Sequence, residues 1–218
     1  MSESAYRELC EVAGPVSRET FGDLLAFETE FRRWSAKINL ASPSTLPDLW
    51  TRHILDSAQV PGIAPKALRW LDLGSGGGFP GAIIAIMMKE RLGAAVALVE
   101  SNRKKAAFLQ SILGRLGAPA TVLPVRIEDA VGRVAQPEIV TARALAPLSQ
   151  LIGLASPWLR DGAKAIFHKG RDYRTEIANC AADWRFDLIE HRSAVDAEGV
   201  ILEISNVEAI ARSQGRTD

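Results

Sequence analysis

The stretch Trp70–Gly81, WLDLGSGGGFPG, decides the fold of this 218-residue chain. The apolar run Leu68–Leu73 predicts a buried strand, and Pro80–Arg91 predicts a helix with proline in its first turn, where proline is tolerated. Glycines in the intervening loop let the backbone turn tightly and let a ligand approach without meeting a Cβ atom. This order of strand, glycine loop and helix predicts a ligand site at the end of the strand.

The chain beyond the loop alternates between strand and helix patterns. Further strands are predicted at Ala95–Val99, Ala120–Val125, Ile139–Ala142, Ala163–His168, Phe186–Glu190 and Val200–Ile204, with helices at Arg103–Leu116 and Leu148–Trp158. Such alternation is typical of an α/β fold, in which helices cover both faces of a mostly parallel sheet.

The segment before the loop has a helical pattern instead. Apolar residues recur at helical spacing from Phe21 to Trp34, and a second helix is predicted at Leu46–Ser57. Pro61, Gly62 and Pro65 then interrupt the pattern. We therefore predict an N-terminal helical cap over 1–62 and a Rossmann-like domain over 63–218, joined as one compact unit.

Composition excludes several classes of protein. Cys10 and Cys180 form no metal-ligand or disulfide pattern, and the apolar run Ala82–Met88 is too short to cross a bilayer. Lys+Arg and Asp+Glu both number 26, a balance that disfavours a strongly basic nucleic-acid binder but allows a local basic patch. We expect a cytoplasmic monomer that needs no membrane and no metal.

The charge of Asp72 distinguishes two possible ligands of the glycine loop. A carboxylate at the end of the strand would repel the pyrophosphate of NAD, whereas it suits the ammonium and sulfonium groups of S-adenosylmethionine. Phe79 stands where the dinucleotide pattern, counted from Gly74, needs its third glycine. Gly76, Gly78 and Gly81 still satisfy the dinucleotide spacing, so the glycines alone leave both cofactors open.

The ends of the next two strands supply candidates for the rest of an adenosine. Glu100 ends the second strand and is placed to accept both ribose hydroxyls. After the third strand, Ile127 can pack on an adenine face, and Glu128 can read its amino edge. Together with the loop, the predicted cofactor contacts are Asp72, Gly74, Gly76, Gly78, Phe79, Glu100, Ile127, Glu128 and Arg143.

Six segments together resemble one bacterial family. They are Asn39–Ser42 (NLAS), Trp50–Ser57 (WTRHILDS), Leu71–Gly81, Glu100–Leu109 (ESNRKKAAFL), Thr141–Pro147 (TARALAP) and His168–Gly170 (HKG). In order and spacing they resemble the RsmG (GidB) family of 16S ribosomal RNA guanine-N7 methyltransferases, over about residues 20–205. The family's usual turn before its last strand is replaced here by Ala197–Val200.

The resemblance implies a class I S-adenosylmethionine methyltransferase fold, with a mostly parallel seven-stranded sheet and an N-terminal helical extension. It implies a guanine in the 530 loop of 16S rRNA as the substrate, in the small ribosomal subunit or its precursor. By position, the family's cofactor contacts fall on Gly74, Phe79, Ile127, Glu128 and Arg143.

Guanine N7 carries a lone pair and no proton, so its methylation needs placement and no general base. Residues expected to place the base are Asn39, His53, Asp56 and Arg143, with His53 and Asp56 on one face of a helix. Residues expected to bind RNA are Lys169 after the fifth strand and the run Arg103, Lys104 and Lys105. A core histidine at position 53 and a merely solvated basic run remain alternative interpretations.

Three other functions stay open at this point. A methyltransferase acting on another substrate would have the same fold and cofactor. An NAD-dependent dehydrogenase is disfavoured by Asp72 and Phe79. A non-enzymatic ribosome-assembly factor would be expected to have a degraded glycine loop, and this loop is intact.

Overall fold

The structure, a computed structural model, describes residues 3–210, so residues 211–218 of the predicted second domain lie outside the described part. The strands are β1 Arg69–Leu73, β2 Ala95–Val99, β3 Ala120–Leu123, β4 Ile139–Arg143, β5 Lys164–Lys169, β6 Trp184–Arg192 and β7 Val200–Ala209. The α-helices are α1 Glu3–Ala13, α2 Arg18–Ser35, α3 Asp56–Ala58, α4 Val60–Ile63, α5 Gly81–Met87, α6 Arg103–Leu116, α7 Leu148–Leu159 and α8 Tyr173–Cys180.

The seven strands form one sheet in the order β3-β2-β1-β4-β5-β7-β6. Strands β3, β2, β1, β4 and β5 are parallel, and β7 enters between β5 and β6 antiparallel to both. The predicted α/β class with a mostly parallel seven-stranded sheet is confirmed. Since the parallel strands end at the same edge, the loops that follow them gather there.

Helices cover both faces because adjacent residues of a strand point to opposite sides. Trp70 of β1 packs in the cluster formed with the N-terminal helices, α5 and α6, whereas its neighbour Leu71 packs in the cluster formed with α7 and α8. Both side chains are fully or almost fully buried. The central strands are therefore apolar on both sides, as the continuous apolar runs in the sequence indicated.

The N-terminal helices pack directly on the glycine loop. Ser17 caps the start of helix α2, and its hydroxyl accepts a hydrogen bond from the Thr20 N–H. Its buried side carries Phe27 and Phe31, whose ring centroids lie 5.9 and 5.2 Å from that of Phe79 in the loop. These contacts fix the helices against the edge of the sheet where the strands end.

Three local features differ from the sequence-based expectation. The helix predicted at Leu46–Ser57 is a π-helical segment, Trp50–Leu55, that continues into the short α3. Helix α8 and the full length of β7 were not predicted, because the segments around them have weak hydrophobic periodicity. Among residues 3–210, no helix is long and apolar enough to cross a membrane, and no cluster of side chains has the composition of a metal site.

Candidate active site

A cavity of about 550 Å³ opens where β1, β2, β3 and β4 end. It is within the size range of sites that bury small ligands. Nine of the residues predicted from the sequence line it: His53, Gly74, Gly76, Phe79, Glu100, Lys105, Ile127, Glu128 and Arg143. The cavity thus joins the N-terminal helices, the glycine loop and the ends of four strands.

Glu100 is held at the floor of this cavity by the backbone. Its Oε2 accepts a hydrogen bond from the Gly76 N–H at 2.7 Å, and its Oε1 accepts one from the Asn102 N–H at 2.7 Å. Gly76 has φ of +56°, a left-handed conformation that favours glycine. Each carboxylate oxygen keeps further acceptor capacity, so Glu100 can accept two hydroxyl groups of a ligand.

Ile127 and Glu128 line the same cavity after β3. Glu128 begins a short 3-10 turn, Glu128–Ala130, and Ile127 is partly buried against the α7 side of the sheet. An apolar surface beside an acceptor is the combination that an adenine ring and its amino group require. Both residues lie where the sequence interpretation placed them.

His53 faces the cavity from the π-helical segment. Its ring stacks on Phe79, and its Nε2 is buried without a hydrogen-bond partner among residues 3–210. Burial, followed by the charges of Arg143 and Arg52, lowers the pKa of His53 to about 4. The imidazole is therefore neutral near pH 7, and its orphaned nitrogen is available to a ligand.

Arg143 ends β4 and connects to residues of the N-terminal segment. Its Nη2 donates to the Arg52 carbonyl at 2.7 Å, and its Nη1 lies 3.6 Å from Asp56 Oδ2. Asp56 also faces His168, whose Nε2 is 3.6 Å from the same oxygen. The predicted partners His53 and Asp56 thus diverge, since Asp56 lines a second cavity and not the first.

Asp72 lies beneath the glycine loop and Gly78 within it, and neither lines the cavity. Asp72 is 1% exposed and accepts a hydrogen bond from the Thr141 hydroxyl at 2.8 Å. At Gly78, φ is +106° and a Cβ atom would lie 2.8 Å from the Ala82 Cβ. Both residues therefore shape the loop. The sequence predicted direct cofactor contacts for both, and neither lines the cavity.

Lys169 is also engaged within the protein. Its side chain is 8% exposed, and its ammonium donates to the Ala146 carbonyl at 2.9 Å and to Glu176 Oε2 at 2.6 Å. Glu176 Oε2 accepts in addition from the Leu148 N–H. The lysine expected to bind phosphate therefore tethers the segment between β4 and α7.

A polar cleft beside the first cavity is lined by three further predicted residues, Asn39, Lys104 and Lys105. The cleft has a volume of about 410 Å³ and is lined by Lys37, Ile38, Asn39, Asn102, Lys104 and Lys105. Lys105 belongs to both the cleft and the cavity. Arg103 is exposed at the start of α6 and lines neither.

Sequence reasoning missed several lining residues of the first cavity: Leu40, Ala41, Ser42, Thr45, Arg126, Ala144, Leu145, Gln150 and Leu154. Some stand inside the quoted segments Asn39–Ser42 and Thr141–Pro147, where membership of the motif was a signal. Gln150 and Leu154 belong to α7, and nothing in their local pattern separates them from other helical residues.

Solved structures with the same fold include a cofactor-bound protein, Rv0187 from MTB, with a TM-score of 0.58 and 13% identity over 92% of this chain and 94% of that chain. An O-methyltransferase from Bacillus cereus in complex with SAH has a TM-score of 0.56 and 12% identity over 93% and 97%. Magnesium protoporphyrin IX methyltransferase from Synechocystis, with bound SAM, reaches 0.54 and 15% over 88% and 99%. The chain therefore has the fold that these two methyltransferases share with the cofactor-bound protein.

The family described as GidB, rRNA small subunit methyltransferase G, matches residues 21–204, and the chain belongs to that family. A relative named ribosomal RNA small subunit methyltransferase G, from Chelativorans sp. (strain BNC1), is 62% identical over 96% of this chain and all of its own length. One of the same name from Brucella canis is 56% identical over 93% of this chain and 95% of its own.

Family membership confirms the recognition made from the six segments and the enzyme class, an S-adenosylmethionine-dependent rRNA methyltransferase. The cavity fits this cofactor. The held carboxylate of Glu100 suits ribose hydroxyls, and the left-handed Gly76 forms a cradle without Cβ. His53 also lines the cavity, and its Nε2 adds a polar atom that has no partner among the described residues.

Proposed function

We propose that this protein transfers a methyl group from S-adenosylmethionine to N7 of a guanine in the 530 loop of 16S rRNA, within the small ribosomal subunit or its precursor. The observation that carries the proposal is the position of Arg143. It lines the first cavity, called the cofactor cavity from here on, and also a second cavity that adjoins it. A base in the second cavity would lie next to the cofactor, along the segment that lines both cavities. The proposal includes a cytoplasmic enzyme that works as a monomer.

The cofactor is proposed to lie between the glycine loop and the ends of β2 and β3. Glu100 would accept the ribose hydroxyls, Ile127 would cover the adenine, and Glu128 would read its amino group. Gly74, Gly76 and Phe79 would border the part of the ligand nearest β1, with Arg143 at the far wall. Asp72 would support the loop from beneath, and Gly78 would let the loop backbone pass close to Ala82 of α5.

The bound cofactor supplies a methyl group on a sulfonium sulfur. In the proposed transfer the carbon–sulfur bond would break as the N7 lone pair forms the new carbon–nitrogen bond, so no proton would move. The positive charge passes from sulfur to the purine, which acceptors near the base would stabilise. What the chain must provide is placement, and this matches a site whose histidine is held neutral and whose Glu100 carboxylate is already bound to the backbone.

The polar cleft supports RNA as the partner. Three lysines and two asparagines line it, and no acidic residue does. Within the part of the chain that the structure describes, Lys37, Lys104 and Lys105 form no ion pair. Cations in the first turn of α6 also oppose the helix dipole, which disfavours them unless a bound anion compensates. Phosphates of RNA would supply that charge.

A methyltransferase acting on another substrate remains the second candidate, since fold and cofactor site would be unchanged. That alternative predicts that small subunits receive no methyl group at N7 of the 530-loop guanine from this protein.

The deciding experiment incubates the purified protein with radiolabelled S-adenosylmethionine and small subunits from a strain that lacks the activity. We expect one labelled guanine in the 530 loop, and cleavage chemistry specific for N7-methylguanine should map it. Label in another nucleotide would correct the target. Absence of label in RNA would overturn the substrate, while binding of S-adenosylhomocysteine, measured by calorimetry, would test the cofactor separately.

A further inference from the structure

A second cavity, of about 480 Å³, adjoins the cofactor cavity. The two share four lining residues, the segment Arg143–Ala146. This segment therefore forms a stretch of wall that belongs to both cavities, which adjoin along it. The size of the second cavity falls in the range of sites that hold small ligands, and a nucleobase is smaller than most of these.

The wall is held in a fixed and strained conformation. Ala144 has φ of +51°, in the left-handed region that a residue with a Cβ atom avoids. The residues at the two ends of the wall are tied down: Arg143 donates to the Arg52 carbonyl, and the Ala146 carbonyl accepts from Lys169. Backbone strain of this kind persists where the surroundings enforce it, and it is concentrated at ligand sites.

The carboxylate of Asp56, which lines the second cavity, is held through one oxygen and has no hydrogen bond on the other. Asp56 Oδ1 accepts hydrogen bonds from Gln59 Nε2 at 2.9 Å and from the Ser193 hydroxyl at 3.2 Å. Asp56 Oδ2 forms no hydrogen bond within residues 3–210, and its two nearest cationic or imidazole nitrogens, on Arg143 and His168, are both 3.6 Å away. The side chain is 11% exposed, so it is oriented by the protein and still reaches the cavity.

His168 does not occupy the free acceptor position on Asp56 Oδ2. Its Nε2 lies 3.1 Å from the main-chain oxygen of Asp56, which can only accept, so Nε2 carries the ring proton and donates it there. Arg143 Nη1 is buried and likewise has no hydrogen-bond partner among the described residues. An acceptor without a partner thus stands beside a buried donor without a partner, and both residues line the second cavity.

We propose that the second cavity receives the target guanine, and that Asp56 Oδ2 selects it by accepting hydrogen bonds from N1–H and the 2-amino group. This inference rests on the proposed function. Guanine carries those two donors on the edge remote from N7, with O6 next to them as an acceptor for Arg143 Nη1. A base held by that edge presents N7 away from Asp56, on the side left free for the cofactor.

The same contact would exclude adenine. Adenine has an acceptor at N1 and no amino group at C2, so it would leave the Asp56 carboxylate unpaired in a buried site. Sites built to hydrogen-bond a group discriminate strongly against analogues that lack it, because the buried partner is then unsatisfied. Asp56 is accordingly a residue that determines specificity, and His168 and Ser193 are residues that position it.

The test compares guanine with hypoxanthine, which keeps N7, O6 and N1–H but lacks the 2-amino group. Small subunits are reconstituted with 16S rRNA carrying either base at the target position, and kcat/KM is measured for each. For the wild type we expect a preference for guanine of about 10- to 100-fold, the range for one hydrogen bond to a charged group. In Asp56→Ala both rates should fall and the ratio should approach 1.

The exposed Asp161→Asn, at the opposite edge of the sheet, is the matched control and should keep the wild-type ratio. Ser193→Ala removes one of the two bonds that orient Asp56 and should lower the ratio in part, which decides the matter if Asp56→Ala fails to fold. A wild-type ratio near 1, or an unchanged ratio in the folded variants, would overturn the inference while leaving N7 methylation intact. Failure of the wild type to methylate any RNA would overturn the proposed function as well.

Discussion

The imidazole of His53 lies against the ring of Phe79, with the ring centroids 4.9 Å apart and the planes inclined by 27°. Phe79 belongs to the glycine loop and His53 to the π-helical segment that precedes it, so this stack joins the N-terminal helices to the cofactor cavity. The same packing that buries the imidazole also lowers its pKa to about 4.

The low pKa of His53 makes stability depend on pH. The unfolded chain takes up a proton at His53 near pH 6.5, while the folded protein resists it until about pH 4. The stabilising contribution is therefore complete above pH 6.5 and is lost as the pH falls towards 4. Relative to His53→Phe, the wild type should lose unfolding free energy across that window in urea titrations. An NMR titration of His53 with a midpoint near 6.5 would contradict this.

Asp72 should have the opposite dependence. Burial raises its pKa from 3.8 to about 6, despite the hydrogen bond from Thr141. Because the folded value lies above the unfolded one, the contribution is present below pH 3.8 and is lost as the pH rises through 6. Compared with the wild type, Asp72→Asn should therefore gain relative stability between pH 4 and 7. Parallel urea midpoints for the two proteins over this range would refute the assignment.

Removal of the Glu100 carboxylate should weaken the cofactor site. Glu100→Ala eliminates an acceptor for the ribose and leaves the Gly76 and Asn102 N–H groups without their partner. We expect a loss of about 1–3 kcal/mol in affinity for S-adenosylhomocysteine, measured by calorimetry. Glu100→Gln keeps an acceptor and should lose less. Unchanged affinity in a folded Glu100→Ala variant would exclude Glu100 from the site.

Neutralising the lysines of the polar cleft should reduce the salt dependence of RNA binding. Each phosphate contact contributes about 0.7–0.9 to the slope of log K against log salt. Replacing both Lys37 and Lys104, which line the cleft but not the cofactor cavity, by glutamine should lower that slope by about 1–2, with little effect on cofactor affinity. Lys66→Gln, at the opposite edge of the sheet, is the control. Equal slopes for wild type and double variant would remove the cleft from the RNA interface.

Lys169 should act through structure and not through phosphate. Lys169→Met leaves Glu176 and the Ala146 carbonyl without their cation, which should destabilise the fold by about 1–3 kcal/mol. The salt slope for RNA binding should stay at the wild-type value. Combining Lys169→Met with Glu176→Gln should destabilise less than the sum of the two changes, because the unpaired charge is gone. A reduced salt slope for Lys169→Met would instead support a phosphate contact.

The features that could be predicted from sequence are those that depend on near neighbours along the chain. The strand, glycine loop and helix around Gly74 follow from local periodicity and from backbone conformations that glycine adopts readily. Glu100 could be placed because a strand ending beside the loop brings its last residue to the same edge. The family followed from six short segments in fixed order, and these are properties of the sequence alone.

The tertiary structure decided which side chains meet. His53 and Asp56 were expected on one helical face, but the π-helical segment has more residues per turn, so the two face different cavities. Asp72 was expected to face the ligand, yet the pleat of β1 and the close approach of Gly81 bury it under the loop.

The second cavity shows the same limit most clearly. Its floor combines Asp56, Arg143, His168 and Ser193, which are brought together from four separate segments of the chain. No local pattern encodes that meeting, because it depends on the order of the strands in the sheet and on the packing of the N-terminal helices against it. The sequence determined the fold, the family and the position of the cofactor loop. Long-range packing alone determined which carboxylate was left with an open oxygen.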